Sequence, residues 1–156
     1  MEKINKIILF LILLFSIFAL IAAYFIEYIL GHQPCNLCLL ERIPYILAII
    51  VITFSFIFKK NQKIYLILLI LIFTLGALLS FYHFGIEQGF FKESLACDLN
   101  TKNNNLSAED ILKELKEKTI SCKEVTFKIL GASLATINTI ISFLISVILF
   151  KLYSKI

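Results

Sequence analysis

Four cysteines in two unlike settings are the residues of this chain best suited to chemistry. Cys35 and Cys38 form a C-x-x-C between the first two hydrophobic runs, while Cys97 and Cys122 flank the one polar stretch. Two thiols so spaced can close a small, readily cycled disulfide and hold one sulfur as the attacking thiolate. Cys38 falls near the expected start of a helix, where the helix dipole and Arg42, four residues on, would both favour its thiolate. Metal sites also use C-x-x-C, but a zinc ribbon brings a second such motif or a pair of histidines. Cys97 and Cys122 are far apart in sequence, and His32 and His83 do not complete the pattern. No metal is expected.

Cys97 and Cys122 have two readings. They either close a stabilising bridge, worth about 3.5 kcal/mol in loop entropy, or exchange with the C-x-x-C through a mixed disulfide and form a relay. Four cysteines allow three connectivities, so the resting pairing stays open. A relay also needs a sink. Strong dithiol oxidants lie near about −120 mV and structural disulfides below about −300 mV, so an ordinary bridge would reoxidise such a partner roughly 8 kcal/mol uphill. A stronger acceptor is required. For a C-x-x-C at a bilayer surface, a lipid-soluble quinone is the natural candidate.

The elements that must position these thiols are membrane spans. The chain has 156 residues, 60% of them hydrophobic, with a mean hydropathy of +0.92. A soluble domain is nearer 45–50% apolar, so the excess implies a solvent other than water. The apolar residues form continuous runs rather than amphipathic stripes, as spans do. Four are expected, near 7–28, 39–58, 64–84 and 129–150, in one integral membrane domain with loops near 29–38 and 85–126. The second span's uncharged part is short, so its helix is expected to begin near Leu39. Glu41 and Arg42 then lie in the headgroup zone and Pro44 stays close to the first turn. The first run exceeds a signal-peptide core and no clear cleavage site follows, so it reads as an uncleaved span.

Net charge is +4, but the basic residues sit at span ends rather than in a basic-aromatic patch, so nucleic acid is not an expected partner. Seven lysines (Lys3, Lys6, Lys59, Lys60, Lys63, Lys151 and Lys155) crowd three short segments on one side. The other side carries Arg42 and lysines diluted along a loop that also holds eight acids. Density in short segments favours both termini in the cytoplasm. Within the long loop, Ser107-Ala108-Glu109-Asp110 reads as a capping box opening a helix through about Lys118, after a turn or spacer at Asn103-Asn104-Asn105. That helix either lies on the membrane surface or is a solvated loop helix. Gly131, Ala135, Asn138, Ser142 and Ser146 form a small-polar stripe, read as packing glue rather than a transport path.

These residues resemble a known family. Pro34-Cys35-Asn36-Leu37-Cys38-Leu39-Leu40-Glu41-Arg42-Ile43-Pro44-Tyr45 is similar to the first extracytoplasmic loop of DsbB-type disulfide bond formation proteins. Tyr82 to Gly89 resembles the end of their third span, Cys97 and Cys122 their second-loop pair, and Phe127 to Asn138 the start of their fourth helix. The resemblance implies an all-α, four-transmembrane-helix bundle in the bacterial inner membrane, with its redox loops periplasmic. It further implies an oxidoreductase that reoxidises a DsbA-like thioredoxin-fold partner and passes electrons to ubiquinone or menaquinone. By position, Cys97 would form the mixed disulfide with that partner, and Cys122 would attack Cys35, releasing Cys38 as the thiolate that donates to quinone. Arg42 would bind and polarise the quinone, with Glu41 orienting Arg42. His83 would either hydrogen-bond a quinone carbonyl or sit at the interface. His32 reads as a polar loop residue, Glu87 and Gln88 as a helix exit, and Gly85…Gly89 as a turn.

Other readings remain. One is a non-catalytic membrane protein whose outer loops are merely stapled; another is a DsbI-like relative serving a different dedicated partner. An enzyme running towards reduction, like the vitamin K epoxide reductases, would place its C-x-x-C on a late helix, unlike this chain.

Overall fold

The computed structural model describes residues 3–58, 62–92, 122–123, 128–129 and 131–154. Among them run α1 (Lys3–Tyr28), α2 (Asn36–Leu40), α3 (Ile43–Ile57), α4 (Gln62–Glu87), β1 (Lys128–Ile129), β2 (Ala132–Ser133) and α5 (Leu134–Tyr153). Cys97, the asparagine run at 103–105 and the helix expected from Ser107 to about Lys118 lie outside the described residues.

Four segments are long and apolar enough to cross a membrane: Lys6–Tyr28, Asn36–Ile57, Gln62–Glu87 and Leu134–Tyr153. The protein is an all-α membrane protein. Its exposure pattern inverts that of a soluble bundle. Phe10, Phe18, Leu71, Leu78, Phe143 and Phe150 are all more than half exposed, whereas Ser16, Ser80, Ser142 and His83 are buried. Helices can satisfy their backbone internally where lipid offers no hydrogen bonds. Helix association in lipid then rests on packing and interhelical bonds, because lipid tails are as apolar as leucine. The packed centre is made of Leu9, Ile52, Leu66, Leu69, Phe73 and Leu149. The most extensive pairing is α4 on α5, followed by α1 on α3 and α3 on α4.

The second span departs from a single helix starting near Leu39. Its helical path opens at Asn36 and is interrupted by a turn at Glu41 and Arg42 before α3 begins at Ile43. The interruption keeps Pro44 in the first turn of α3, where a missing N–H removes no intrahelical bond. Gly76 of α4 admits this corner: a Cβ there would stand 3.1 Å from Pro44 Cγ. Adjacent Glu41 and Arg42 consequently face different neighbours.

At the other end of α4, Gly89 takes φ +79°. Phe90 N–H bonds to Gly85 O (2.8 Å) and Gly89 N–H to Ile86 O (3.0 Å), a Schellman closure of the helix. The Gly85…Gly89 spacing is therefore a turn. The strands β1 and β2 pair antiparallel around Gly131, and Ser133 caps α5 by accepting from Thr136 N–H at 3.2 Å. Of the stripe on the last span, Ala135 and Ser142 are buried and Ser146 pairs with Thr74 of α4 at 2.8 Å. Gly131 lies in the strand turn at φ +86° instead.

Candidate functional site

The end of α1, the start of α2, the end of α4 and the start of α5 meet at one end of the bundle, and every described cysteine lies there. Cys35 takes extended backbone angles as the N-cap of α2, and its sulfur accepts the Cys38 N–H at 3.3 Å. The Cys35 and Cys38 sulfurs are 2.8 Å apart, and both residues are free thiols. Cys122 is disulfide-bonded and 2% exposed. Cys35, Leu37, Ile86 and Cys122 form a small apolar cluster of their own. Within it, Cys35 Sγ, Cys122 Sγ and a ring nitrogen of His83 all lie within 4.8 Å of one another. Residues 87 positions apart in the chain have thus been brought to near contact.

This geometry reassigns the favoured thiolate. The Cys35 thiol is lowered to about 4, first by the hydrogen bond from Cys38 and then by that from His83, against the opposing effect of burial. The expectation that Cys38 and Arg42 form the thiolate pair fails for two reasons. Cys35, not Cys38, occupies the cap that collects the helix N–H, and Arg42 turns away to Glu27. Arg42 Nη1 donates to Glu27 Oε2 at 2.6 Å, and the guanidinium lies 4.8 Å over the Tyr24 ring.

Glu41 does not hold Arg42. Its Oε1 is 2.7 Å from His83 Nδ1, and its Oε2 accepts from Asn138 Nδ2 at 2.8 Å. Asn138 also donates to Ser80 Oγ at 2.6 Å and accepts from Tyr45 OH and from Ser142 Oγ. Its amide thereby fills all four of its hydrogen-bonding positions. His83 is 2% exposed and stands between Glu41 and Cys35, its Nε2 3.5 Å from the Cys35 sulfur. It also lines the cavity beside the thiols. Glu87 ends α4, as a helix exit should, yet its side chain is only 6% exposed and its Oε1 lies 3.8 Å from His83 Nε2.

A cavity of about 320 Å³ opens beside the thiols, lined by Phe15, Phe18 and Ile26 and by Cys38, Arg42 and Asn138. His32, expected only as a loop residue, also lines it. Largely apolar walls with a few converging polar groups suit a small ring-bearing ligand with polar edges.

Glu27, Asn138, Tyr45, Ser80 and Glu87 were not foreseen as site residues. Two carried a readable signal. Glu27 is an acid within an otherwise apolar run, and ionisable groups in spans mark functional sites. Glu87 follows His83 by four residues, which puts both on one helix face. Asn138 was visible only as part of the packing stripe.

Comparison with known proteins agrees with this arrangement. Residues 5–152 match the family described as disulfide bond formation protein DsbB. A protein of Rickettsia prowazekii (strain Madrid E), described as "Uncharacterized protein RP370", is 32% identical over 139 residues, covering 88% of this chain and 81% of the relative. No solved structure matches significantly. A match across nearly the whole chain, on a four-helix membrane frame that gathers its thiols at one end, places the protein in the DsbB family of disulfide bond formation proteins.

Proposed function

We propose that the protein reoxidises a soluble thioredoxin-fold dithiol oxidase and passes the electrons to a membrane quinone, ubiquinone or menaquinone. The observation that carries this reading is the approach of Cys122 to Cys35 beside a mostly apolar cavity. A partner dithiol attacks the second-loop bridge at Cys97, and Cys122 leaves as a thiolate. Cys122 then attacks the Cys35 sulfur of the oxidised C-x-x-C, forming the Cys35–Cys122 bond while the electron pair of the Cys35–Cys38 bond departs on Cys38. Resolution of the mixed disulfides leaves the partner oxidised, the second-loop bridge restored and Cys35 and Cys38 reduced.

The cavity fits a quinone head. Aromatic walls at Phe15 and Phe18 would receive its ring, and Arg42 would face its carbonyl oxygens. When bound, the quinone supplies a two-electron acceptor able to drive the relay. The chain's own contribution is to exclude water with α1, hold Arg42 with Glu27, and keep Cys35 ionised. The cysteine end is assigned to the periplasmic face of a bacterial inner membrane and both termini to the cytoplasm, which the dense lysines of the short segments support. The whole chain acts as one membrane domain.

Purified protein mixed with a reduced thioredoxin-fold partner and a soluble quinone should consume quinone absorbance as partner thiols disappear. Replacing Cys38 with Ser should abolish quinone reduction without unfolding the bundle. Absence of turnover with several partners and quinones would defeat the reading.

A further inference from the structure

A quinone becomes a quinol by taking up two electrons and two protons. The C-x-x-C can give both electrons but only one of the protons. The relay passes thiolates from sulfur to sulfur and so delivers none. Cys35 is held ionised, its thiol lowered to about 4, and its sulfur lies 2.8 Å from that of Cys38. One proton held between two sulfurs fits that spacing. The second has to come from an acid on the cavity wall.

Besides the cysteines, the titratable or charged side chains on that wall are His32, Glu41, Arg42, Tyr45, His83 and Glu87. Most are engaged. Glu41 commits its two oxygens to His83 and Asn138. Arg42 does not give up a proton and is paired with Glu27. The Tyr45 hydroxyl donates to Asn138. His83 has Nδ1 against Glu41 and Nε2 3.5 Å from the Cys35 sulfur. A proton given from Nε2 would deprive Cys35 of a contact that holds its thiolate. His32 lies half-buried on the loop before the C-x-x-C.

Glu87 differs from these. Its side chain is 6% exposed, and its Oε2 is buried with no hydrogen-bond partner among the described residues. A buried acceptor oxygen that lacks a donor is costly to the fold, and an oxygen carrying its own proton avoids that cost. The groups facing Glu87 are His83 on α4 itself, 3.8 Å from Oε1, Cys35 and Glu41 from the α2 side, and Ser133 at the start of α5. None of them donates to Oε2.

We propose that Glu87 is the acid of quinone reduction, giving the ligand in the cavity the proton that the C-x-x-C lacks; the inference rests on the quinone reading above. Cys35 and Cys38 join as a disulfide and surrender two electrons. Cys38 releases its proton, and the Glu87 O–H bond breaks to supply the other. Two electrons and two protons thus convert quinone to quinol, and no further oxidant or reductant is needed. Glu87 is left as a carboxylate and regains its proton from water at the cysteine end of the bundle.

A single turnover without any partner tests this. A Cys97→Ser/Cys122→Ser protein with Cys35 and Cys38 reduced is mixed with saturating soluble quinone at a series of pH values, and quinone absorbance is followed. This parent should react at a rate nearly flat from about pH 5 to 7, as a built-in acid allows. Adding Glu87→Gln should slow it at least about tenfold at neutrality, with a rate that falls further as pH rises and regains the parent value in acid. That regain also shows the variant is folded. A second readout needs no quinone: the infrared spectrum of the ligand-free protein at neutral pH should contain the C=O stretch of a protonated, buried carboxyl that Glu87→Gln removes. A Glu87→Gln profile identical to the parent's, a deficit equal at every pH, loss of carboxylate bands alone, or a pH profile that moves with His32→Gln instead overturns the assignment and leaves the quinone reading standing. A parent that reduces no quinone overturns both.

Discussion

The middle of the bundle and its cysteine-bearing end are made by the same four spans and held by different forces. In the middle, Leu9, Ile52, Leu69, Phe73 and Leu149 meet through dispersion alone. At the thiol end, partners are specific: Asn138 binds four groups, Glu41 binds two, and the Cys35 sulfur receives contacts from Cys38 and His83. The difference teaches where precision is needed. Packing in lipid is a sum of many small, exchangeable contacts, whereas proton transfer and thiol–disulfide exchange proceed only between groups at bonding distance.

The strongest way to break the comparison is Cys35→Ser. The bundle should fold with unchanged helicity by circular dichroism, yet transfer from partner to quinone should fall roughly a thousandfold or more, the scale for losing a reacting nucleophile. The complementary change, Leu69→Ala in the fully buried middle, should do the reverse. It should lower stability by about 2 kcal/mol, the bottom of the range for such truncations, because lipid supplies little transfer term. Unfolding in detergent measures the loss, and activity per folded molecule should not change.

The reduced Cys35 gives a third test. With its thiol at about 4, its alkylation rate should stay within about twofold between roughly pH 8 and 6. An ordinary thiol near 8.5 would lose thiolate about tenfold per unit over that range. The folded value lies below the unfolded one, so the ionised sulfur contributes stability that is complete above about 8.5 and is lost as pH falls towards 4. Smaller effects separate the two carboxylate pairs. Glu41→Gln weakens the acceptor for His83 and Asn138 together, and charged hydrogen bonds are worth about 1.5–3 kcal/mol. Turnover should drop about ten- to hundredfold while the quinone KM changes little. Arg42→Lys keeps the charge near Glu27 but loses the planar stack on Tyr24, so the quinone KM should rise a few-fold with kcat nearly intact.

Much of this was legible in the chain. Hydropathy is local and additive, so continuous apolar runs were enough to announce four spans, and the Cys35–Cys38 spacing announced thiol chemistry. The C-x-x-C and Arg42 were read as the centre of the site, and the cavity does lie against them. What escaped was partner choice. Glu41 and Arg42 are neighbours in sequence, and the family resemblance implied that one serves the other; the turn between α2 and α3 sends Glu41 to His83 and Arg42 to Glu27. Glu87 looked like a helix exit because sequence shows where a helix stops but not which way its last side chain faces.

The amino-acid order by itself determined that the protein lives in lipid, that it crosses four times and that its candidate reactive groups are sulfur. These follow from composition and near-neighbour spacing, which no packing can alter. Only the tertiary structure decided that Cys35 caps α2 and takes the contacts that lower its thiol, that Cys122 comes to rest beside it, and that His83 stands between two carboxylates. Those outcomes depend on how each helix is rotated and where it is broken, which is settled by contacts between residues far apart in the chain.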